Sequence, residues 1–192
     1  MFSEINRIIK SYVSLSQVEV ELLNSSYTFK KYPKKTIILH AGEVCKFEAF
    51  VVKGCLKSYF LDETGSEVVL TFASENWWVS DISSFYEGKP SKMYIETLED
   101  CELLMISLEE KEALLHRLPQ LERAFRIMIQ RHVTVYQERL FANIALSAKD
   151  RYAIFLEKYP SIPQRVPQHL IASYLGISPE SLSRIRKLNL KK

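Results

Sequence analysis

Along the first 25 residues, apolar side chains fall at Ile5, Ile8, Ile9, Tyr12 and Val13, the spacing of one helical face, and a second short helix is predicted from Ser16. From Tyr27 to Ser107 the pattern changes to short runs of β-branched and aromatic residues separated by turn residues. Strands are predicted at Tyr27–Lys31, Thr36–His40, Phe47–Val52, Leu56–Leu61, Val68–Ala73, Met93–Thr97 and Glu102–Ser107. Ala41-Gly42-Glu43, Lys53-Gly54, Asp62-Glu63-Thr64-Gly65 and Glu87-Gly88-Lys89-Pro90 supply the turns between them. Short strands at about ten-residue spacing predict a β-sandwich or a barrel-like, jelly-roll-like roll.

After Ser107 the strand pattern stops. Leu108–His116 reads as a helix, and Pro119 opens a long one that runs to about Ala145. Within it Leu118, Leu121, Phe125, Met128, His132 and Val135 recur at alternating spacings of three and four, a coiled-coil-like seam. A second apolar row, Ile129, Tyr136 and Leu140, is expected to pack back onto the roll. A core helix inside one protomer remains the alternative, but two apolar rows favour a dimer spine, with Leu121, Phe125, Met128, His132 and Val135 on the seam. In that seam His132 is either a packed side chain or a pH-sensitive contact. Asp150–Tyr159 forms a further amphipathic helix ended by Pro160, and residues 161–164 are read as a connector.

The last stretch has its own logic. Pro167 starts a helix whose buried face is Leu170, Ile171, Tyr174 and Leu175, with Ala172 small enough for a close helix crossing. Gly176 permits a turn at positive φ, Ile177 plugs the core, Ser178 is a good N-cap, and Pro179 takes the first position of a second helix with Leu182 and Ile185 facing inward. Two short helices joined by a Gly turn form the helix-turn-helix template, whose second helix fits a major groove. Its exposed face carries Pro179, Glu180, Ser181, Ser183 and Arg184. Arg bonds guanine bidentately and Glu accepts from the cytosine amino group. Gln168, Ser178, Arg186 and Lys187 are better placed for phosphates.

Charge supports this division. The whole chain is only +3, but residues 165–192 hold six basic residues against Glu180, leaving a body with 20 basic and 22 acidic residues. A near-neutral body with a basic end piece fits a nucleic-acid-binding module fused to something else. The three cysteines, Cys45, Cys55 and Cys101, form no C-x-x-C pair, so neither a disulfide framework nor a thiolate metal site is expected, and the expected compartment is a reducing cytoplasm. No apolar run approaches bilayer-spanning length, so no membrane partner is expected. A metal enzyme of cupin type lacks clustered ligands, because of His40, His116, His132 and His169 only the first lies in the β region. No catalytic residue and no enzymatic activity are expected.

The order of roll, long helix, short helix and terminal helix-turn-helix resembles the Crp/Fnr family of bacterial transcription regulators across essentially the whole chain. The most specific piece is Leu-Gly-Ile-Ser-Pro-Glu-Ser-Leu-Ser-Arg-Ile-Arg-Lys (Leu175–Lys187). Weaker marks are Leu39-His40-Ala41-Gly42-Glu43, Phe50-Val51-Val52-Lys53-Gly54 and Leu98-Glu99-Asp100-Cys101. The resemblance implies an α+β chain: a cyclic-nucleotide-binding-like β-roll over residues 1–117, a dimerisation helix over 118–146 and a helix-turn-helix domain over 147–192. It implies a homodimer on a two-fold DNA operator, with RNA polymerase as a further partner and a small molecule in the roll as the signal.

The family's cyclic-nucleotide cassette pairs a Gly-Glu with an Arg about ten residues later. Here the first pair falls on Ser80-Asp81 and the Arg position on Ser91, followed by Lys92, which an extended segment points to the opposite face. Ser80, Asp81, Ser91 and Lys92 are therefore the candidate ligand residues, and cyclic nucleotide is disfavoured because a buried phosphate without a cation is costly. No other cofactor is expected; the family's iron–sulfur branch needs cysteines ahead of Cys45, where there are none. The usual Arg of the recognition helix's first turn is Pro179, and the hairpin wing after that helix is expected to be truncated, with Lys191 and Lys192 taking over backbone contacts. The rival reading is a roll-based sensor or scaffold whose terminal helices bind protein.

Overall fold

A computed structural model describes residues 1–189, so the expected role of Lys191 and Lys192 lies outside the described residues. Two helices, α1 (Ser3–Lys10) and α2 (Gln17–Ser25), lead into eight strands: β1 (Thr28–Tyr32), β2 (Ile37–Leu39), β3 (Glu48–Lys53), β4 (Leu56–Leu61), β5 (Glu67–Ala73), β6 (Trp78–Val79), β7 (Tyr94–Thr97) and β8 (Cys101–Ile106). The short helix α3 (Ile82–Glu87) sits between β6 and β7, and α4 (Leu108–Arg117), α5 (Leu121–Ala145), α6 (Ala148–Lys158), α7 (Ile162–Arg165), α8 (Gln168–Leu175) and α9 (Pro179–Asn189) follow. The strands make two sheets, in the orders β1-β8-β3-β6 and β2-β7-β4-β5. This is the expected α+β architecture, an N-terminal β-sheet domain followed by helices. Among the described residues no helix is long and apolar enough to cross a membrane.

Seven strands fall where the apolar pattern predicts them, shifted by a residue or two at their ends. The sequence reading missed β6 and α3, which are only two and six residues long and too short to carry a period. The connector expected at 161–164 is instead mostly the helix α7, anchored by buried Ile162.

Contacts divide the chain into two compact units along a boundary that the three expected linear segments do not follow. One unit contains Met1–Ser58 and Phe72–Arg131; the other contains the β4–β5 tip, Tyr59–Thr71, and the chain from His132 onward. In the first unit β3 and β8 pair in register, with Ala49 opposite Met105 and Phe50 opposite Leu104. Alternate residues then serve two cores. Ala49, Val51, Leu103 and Met105 join Leu39, Leu56 and Ile95, while Phe50, Leu104 and Ile106 join Ile5, Ile9, Leu23, Leu114, Leu121, Phe125 and Met128. Gly54 closes the turn after β3 at φ +101, where a Cβ would meet Cys101 Sγ at 2.6 Å and the Asp100 carbonyl at 2.7 Å, so only glycine fits. All three cysteines are buried thiols outside any disulfide, and burial pushes the Cys101 thiol up to about 11.

This packing corrects the expected faces of the long helix. Leu121, Phe125 and Met128, placed on a dimer seam by the spacing argument, are 0%, 6% and 7% exposed because helices α1 and α4 supply partners for them inside the same chain. His132 and Val135 are half-buried. Conversely Ile129, Tyr136 and Leu140, expected to pack onto the roll, are 44%, 50% and 62% exposed. Both rows are apolar, so periodicity alone could not say which faces inward.

A buried ion pair links four elements of the first unit. The Lys111 ammonium of α4 donates to the Glu48 carboxylate of β3 and to the Tyr86 hydroxyl of α3, 2.7 Å away, and lies 4.6 Å from the centre of the Phe125 ring of α5. Removing one charge leaves the other buried and uncompensated. Lys111→Met is expected to lower unfolding stability by about 3–5 kcal/mol, read by denaturant titration. The double variant Lys111→Met with Glu48→Gln should recover much of it; equal loss in both would mean the pair contributes packing only.

Candidate functional site

The second unit is assembled around an aromatic cluster. Phe155 of α6 lies 5.4 Å from both the Tyr159 and the Tyr174 rings, and those two rings meet edge to face at 6.1 Å. Ser147 caps α6 by accepting from the Asp150 amide at 3.2 Å. With Leu170, Ile171, Ala172 and Leu175 buried, α8 has one face fully committed to this core.

The turn after α8 forms as its residues require. Gly176 takes the left-handed conformation at φ 65, and the Ile177 amide reaches back to the Ala172 carbonyl at 3.0 Å, closing the helix end. Ser178 then caps α9: its Oγ accepts from the Ser181 amide at 3.2 Å, and its carbonyl accepts from the Leu182 amide at 3.1 Å. Leu182 is buried and pins α9, while Ile185 and Ile177 are half-buried.

What remains outside is the N-terminal face of α9. Pro179, Glu180, Ser183, Arg184 and Lys187 are exposed, and Ser178 lies exposed at the turn. Ser181 and Arg186 are half-buried. Glu180 and Arg184, one turn apart, are both available to a groove. Gln168 departs from the phosphate-facing expectation: it is half-buried, with its amide nitrogen 3.4 Å from the Pro163 carbonyl and its Oε1 buried. Four residues after Pro163 stands Pro167, which has no N–H to give that carbonyl, and the Gln168 side chain supplies the donor instead.

In the roll, the structure brings Asp81 and Ser91 together, ten residues apart in sequence. Asp81 caps α3 by accepting from the Ser84 amide at 3.2 Å, and its other carboxylate oxygen accepts from the Ser91 hydroxyl at 2.7 Å. Ser91 Oγ also accepts from the Met93 amide at 3.0 Å. Ser80 is turned to the Phe47 carbonyl, 2.9 Å away, and Lys92 is exposed. The two buried groups at the cassette positions thus satisfy each other. A carboxylate and a hydroxyl bring no positive charge to an anion.

Sequence reasoning missed the exposed apolar residues Val133 and Ile144, which extend the Ile129, Tyr136, Leu140 row at four-three-four-four spacing.

A model of the cyclic nucleotide-binding domain matches residues 29–117. The cAMP-activated global transcriptional regulator CRP of Escherichia coli is 24% identical over 168 residues, covering 82% of this chain and 80% of that protein. Among solved structures, the c-di-GMP responsive global regulator CLP of Xanthomonas campestris aligns with a TM-score of 0.73 at 19% identity, over 92% of this chain and 93% of that one. FixK2 from Bradyrhizobium japonicum aligns with a TM-score of 0.74 at 19% identity, over 84% and 83%.

The cap of α9 has a measurable charge consequence. The Glu180 carboxyl is held below the usual carboxylate range by its own backbone amide, then by the Ser178 hydroxyl and the Arg184 charge. A depressed carboxylate adds stability above its unfolded pKa and loses it as pH falls through the folded value. Ser178→Ala is expected to raise the Glu180 midpoint in an NMR titration, and by more than Arg184→Ala does; the reverse order would place the cause in the ion pair.

Proposed function

We propose that the chain is a regulator of the Crp/Fnr type, to whose members it is similar, a homodimer that reads a two-fold DNA operator through α8 and α9, and not an enzyme. The observation that carries this reading is the capped, Gly-turned α9 with Glu180, Ser183 and Arg184 exposed on its N-terminal face. A recognition helix contacts base edges with just that end. Arg184 reads a guanine, Glu180 a cytosine amino group, and Lys187 with Ser178 the flanking phosphates.

The dimer seam is the exposed row of α5. Ile129, Val133, Tyr136 and Leu140 follow four-three-four spacing, and Ile144 extends it four residues on, so the row runs about 22 Å along the helix. An apolar seam of that length and period is what a two-stranded coiled coil buries. RNA polymerase is the further partner that this reading implies. The roll senses a small molecule, with Asp81 accepting from a ligand hydroxyl; a cyclic nucleotide is the disfavoured ligand because Ser91 gives its phosphate no cation.

Two measurements test this. Duplexes enriched by the purified protein from a random pool should carry two inverted half-sites, and affinity for them should fall steeply with salt through counterion release. Arg184→Ala should keep the salt dependence and lose about 1–3 kcal/mol of discrimination at one base pair per half-site; unchanged sequence selection would sink the base-reading role. Absence of any duplex binding would favour a protein partner for α9. Leu140→Lys should leave the helical circular dichroism intact and convert dimers to monomers in light scattering; a persistent dimer would place the seam elsewhere.

A further inference from the structure

Strand β5 ends the sheet order β2-β7-β4-β5, so among the described residues one side of its backbone has no neighbouring strand. An open edge of this kind leaves amides and carbonyls that need partners. Here two side chains from the helical part of the second unit supply them. Ser173 of α8 accepts from the Val69 amide at 3.0 Å and donates to the Glu67 carbonyl at 2.8 Å, taking the positions a neighbouring strand would take. Arg139 of α5 donates to the Val69 carbonyl at 3.0 Å and to the Leu70 carbonyl. The same guanidinium donates to the Tyr174 carbonyl of α8 at 2.9 Å and lies 4.1 Å from the centre of the Tyr174 ring.

One guanidinium therefore joins three segments of this unit: the β5 edge, the α5 helix and the first helix of the reading head. Arg139 lies between Tyr136 and Leu140 of the exposed α5 row, and Ser173 lies three residues before the Gly176 turn that leads into α9. Neither group covers the reading face, since Glu180, Ser183 and Arg184 stay exposed. The contact is consequently not a block on the reader.

Building on the dimeric DNA-binding reading above, we infer that Ser173 and Arg139 are positioning residues that fix the reading head against the α5 seam, and so set the spacing of the two half-sites that the dimer accepts. Two recognition helices must present themselves about one helical turn of DNA apart, 34–36 Å. A head fixed to the seam helix by a bridge of five hydrogen bonds from two side chains holds that separation without touching a base. A head tied only through the α5–α6 junction would meet several spacings, and would lose freedom on each of them when it bound.

The test uses the full-length dimer and the duplex that wild type enriches most strongly from a random pool, together with copies whose half-sites are moved apart or together by one or two base pairs. Ser173→Ala, which suits a helix, and Arg139→Lys, which keeps the charge and loses the fork, are compared with Ser173→Thr, which keeps the hydroxyl. Dimer mass and helical signal are checked first, and if one variant fails to fold the other carries the test. Expected is affinity for the best spacing weakened by about tenfold, the scale of one net hydrogen bond per protomer, a flattened preference among spacings, unchanged base preference within each half-site, and recovery in Ser173→Thr. Wild-type affinity and spacing preference in both alanine and lysine variants would overturn the positioning role, as would tighter binding, which would make the bridge a brake. Failure of the wild-type chain to bind any duplex would instead overturn the DNA-binding reading on which this inference rests.

Discussion

An α-helix turns about 100° per residue, so a helix with two apolar rows must give each row a different partner. That constraint organises this chain. The first turns of α5 give Leu121, Phe125 and Met128 to the core made by α1, α4, β3 and β8, where Lys111 reaches the Phe125 ring from beside Glu48. Once those positions are consumed, the other row, from Ile129 to Ile144, stays exposed. The seam of the proposed dimer is in this sense a remainder. It is what one protomer's packing leaves over, and its place on the helix is set by the roll's need for a lid.

This explains which parts of the structure could be read from the residues. Strands such as Leu56–Leu61 and the turn at Gly54 follow from alternation and from glycine's freedom at positive φ, both local properties. The helix-turn-helix was legible for the same reason: Ala172, Gly176, Ser178, Pro179 and Leu182 each do a local job, and the string around Leu175–Lys187 carried the family likeness. The faces of α5 were not legible. Deciding between two apolar rows needs the partner surfaces, and Ile5, Ile9 and Leu23 join α5 in one core from more than ninety residues away in the chain. Elements of two and six residues, β6 and α3, hold no period to detect.

The cassette positions show the same limit from the side of chemistry. Alignment of motifs placed Asp81 and Ser91 at the points where a ribose hydroxyl and a phosphate would be held, and the fold does bring the two together at 2.7 Å. What the fold adds is that each already satisfies the other, and that Asp81 is committed to capping α3 through Ser84. A ligand entering here competes with an existing hydrogen bond and must bring a donor for Asp81, so the net gain from a hydroxyl is small and apolar contact has to supply the rest. The domain matched at residues 29–117 thus carries a buried carboxylate–hydroxyl pair, Asp81 and Ser91, at these two positions.

The whole-chain charge of +3 and the tail's excess of basic residues describe attraction to a polyanion and nothing about register. Register requires that two readers be held at one separation, which charge cannot do and the α9 side chains cannot do alone. The groups able to do it are the ones joining the reader to the seam helix, and they are neither basic in pattern nor part of any motif: a serine inside α8 and an arginine next to Leu140. Their partners are backbone atoms of Glu67, Val69 and Leu70, and a backbone atom leaves no trace in the residue type that carries it. In the proposed DNA-reading dimer, specificity is accordingly divided between a part written in side chains on α9 and a part that exists only once the edge of β5 has been folded into place.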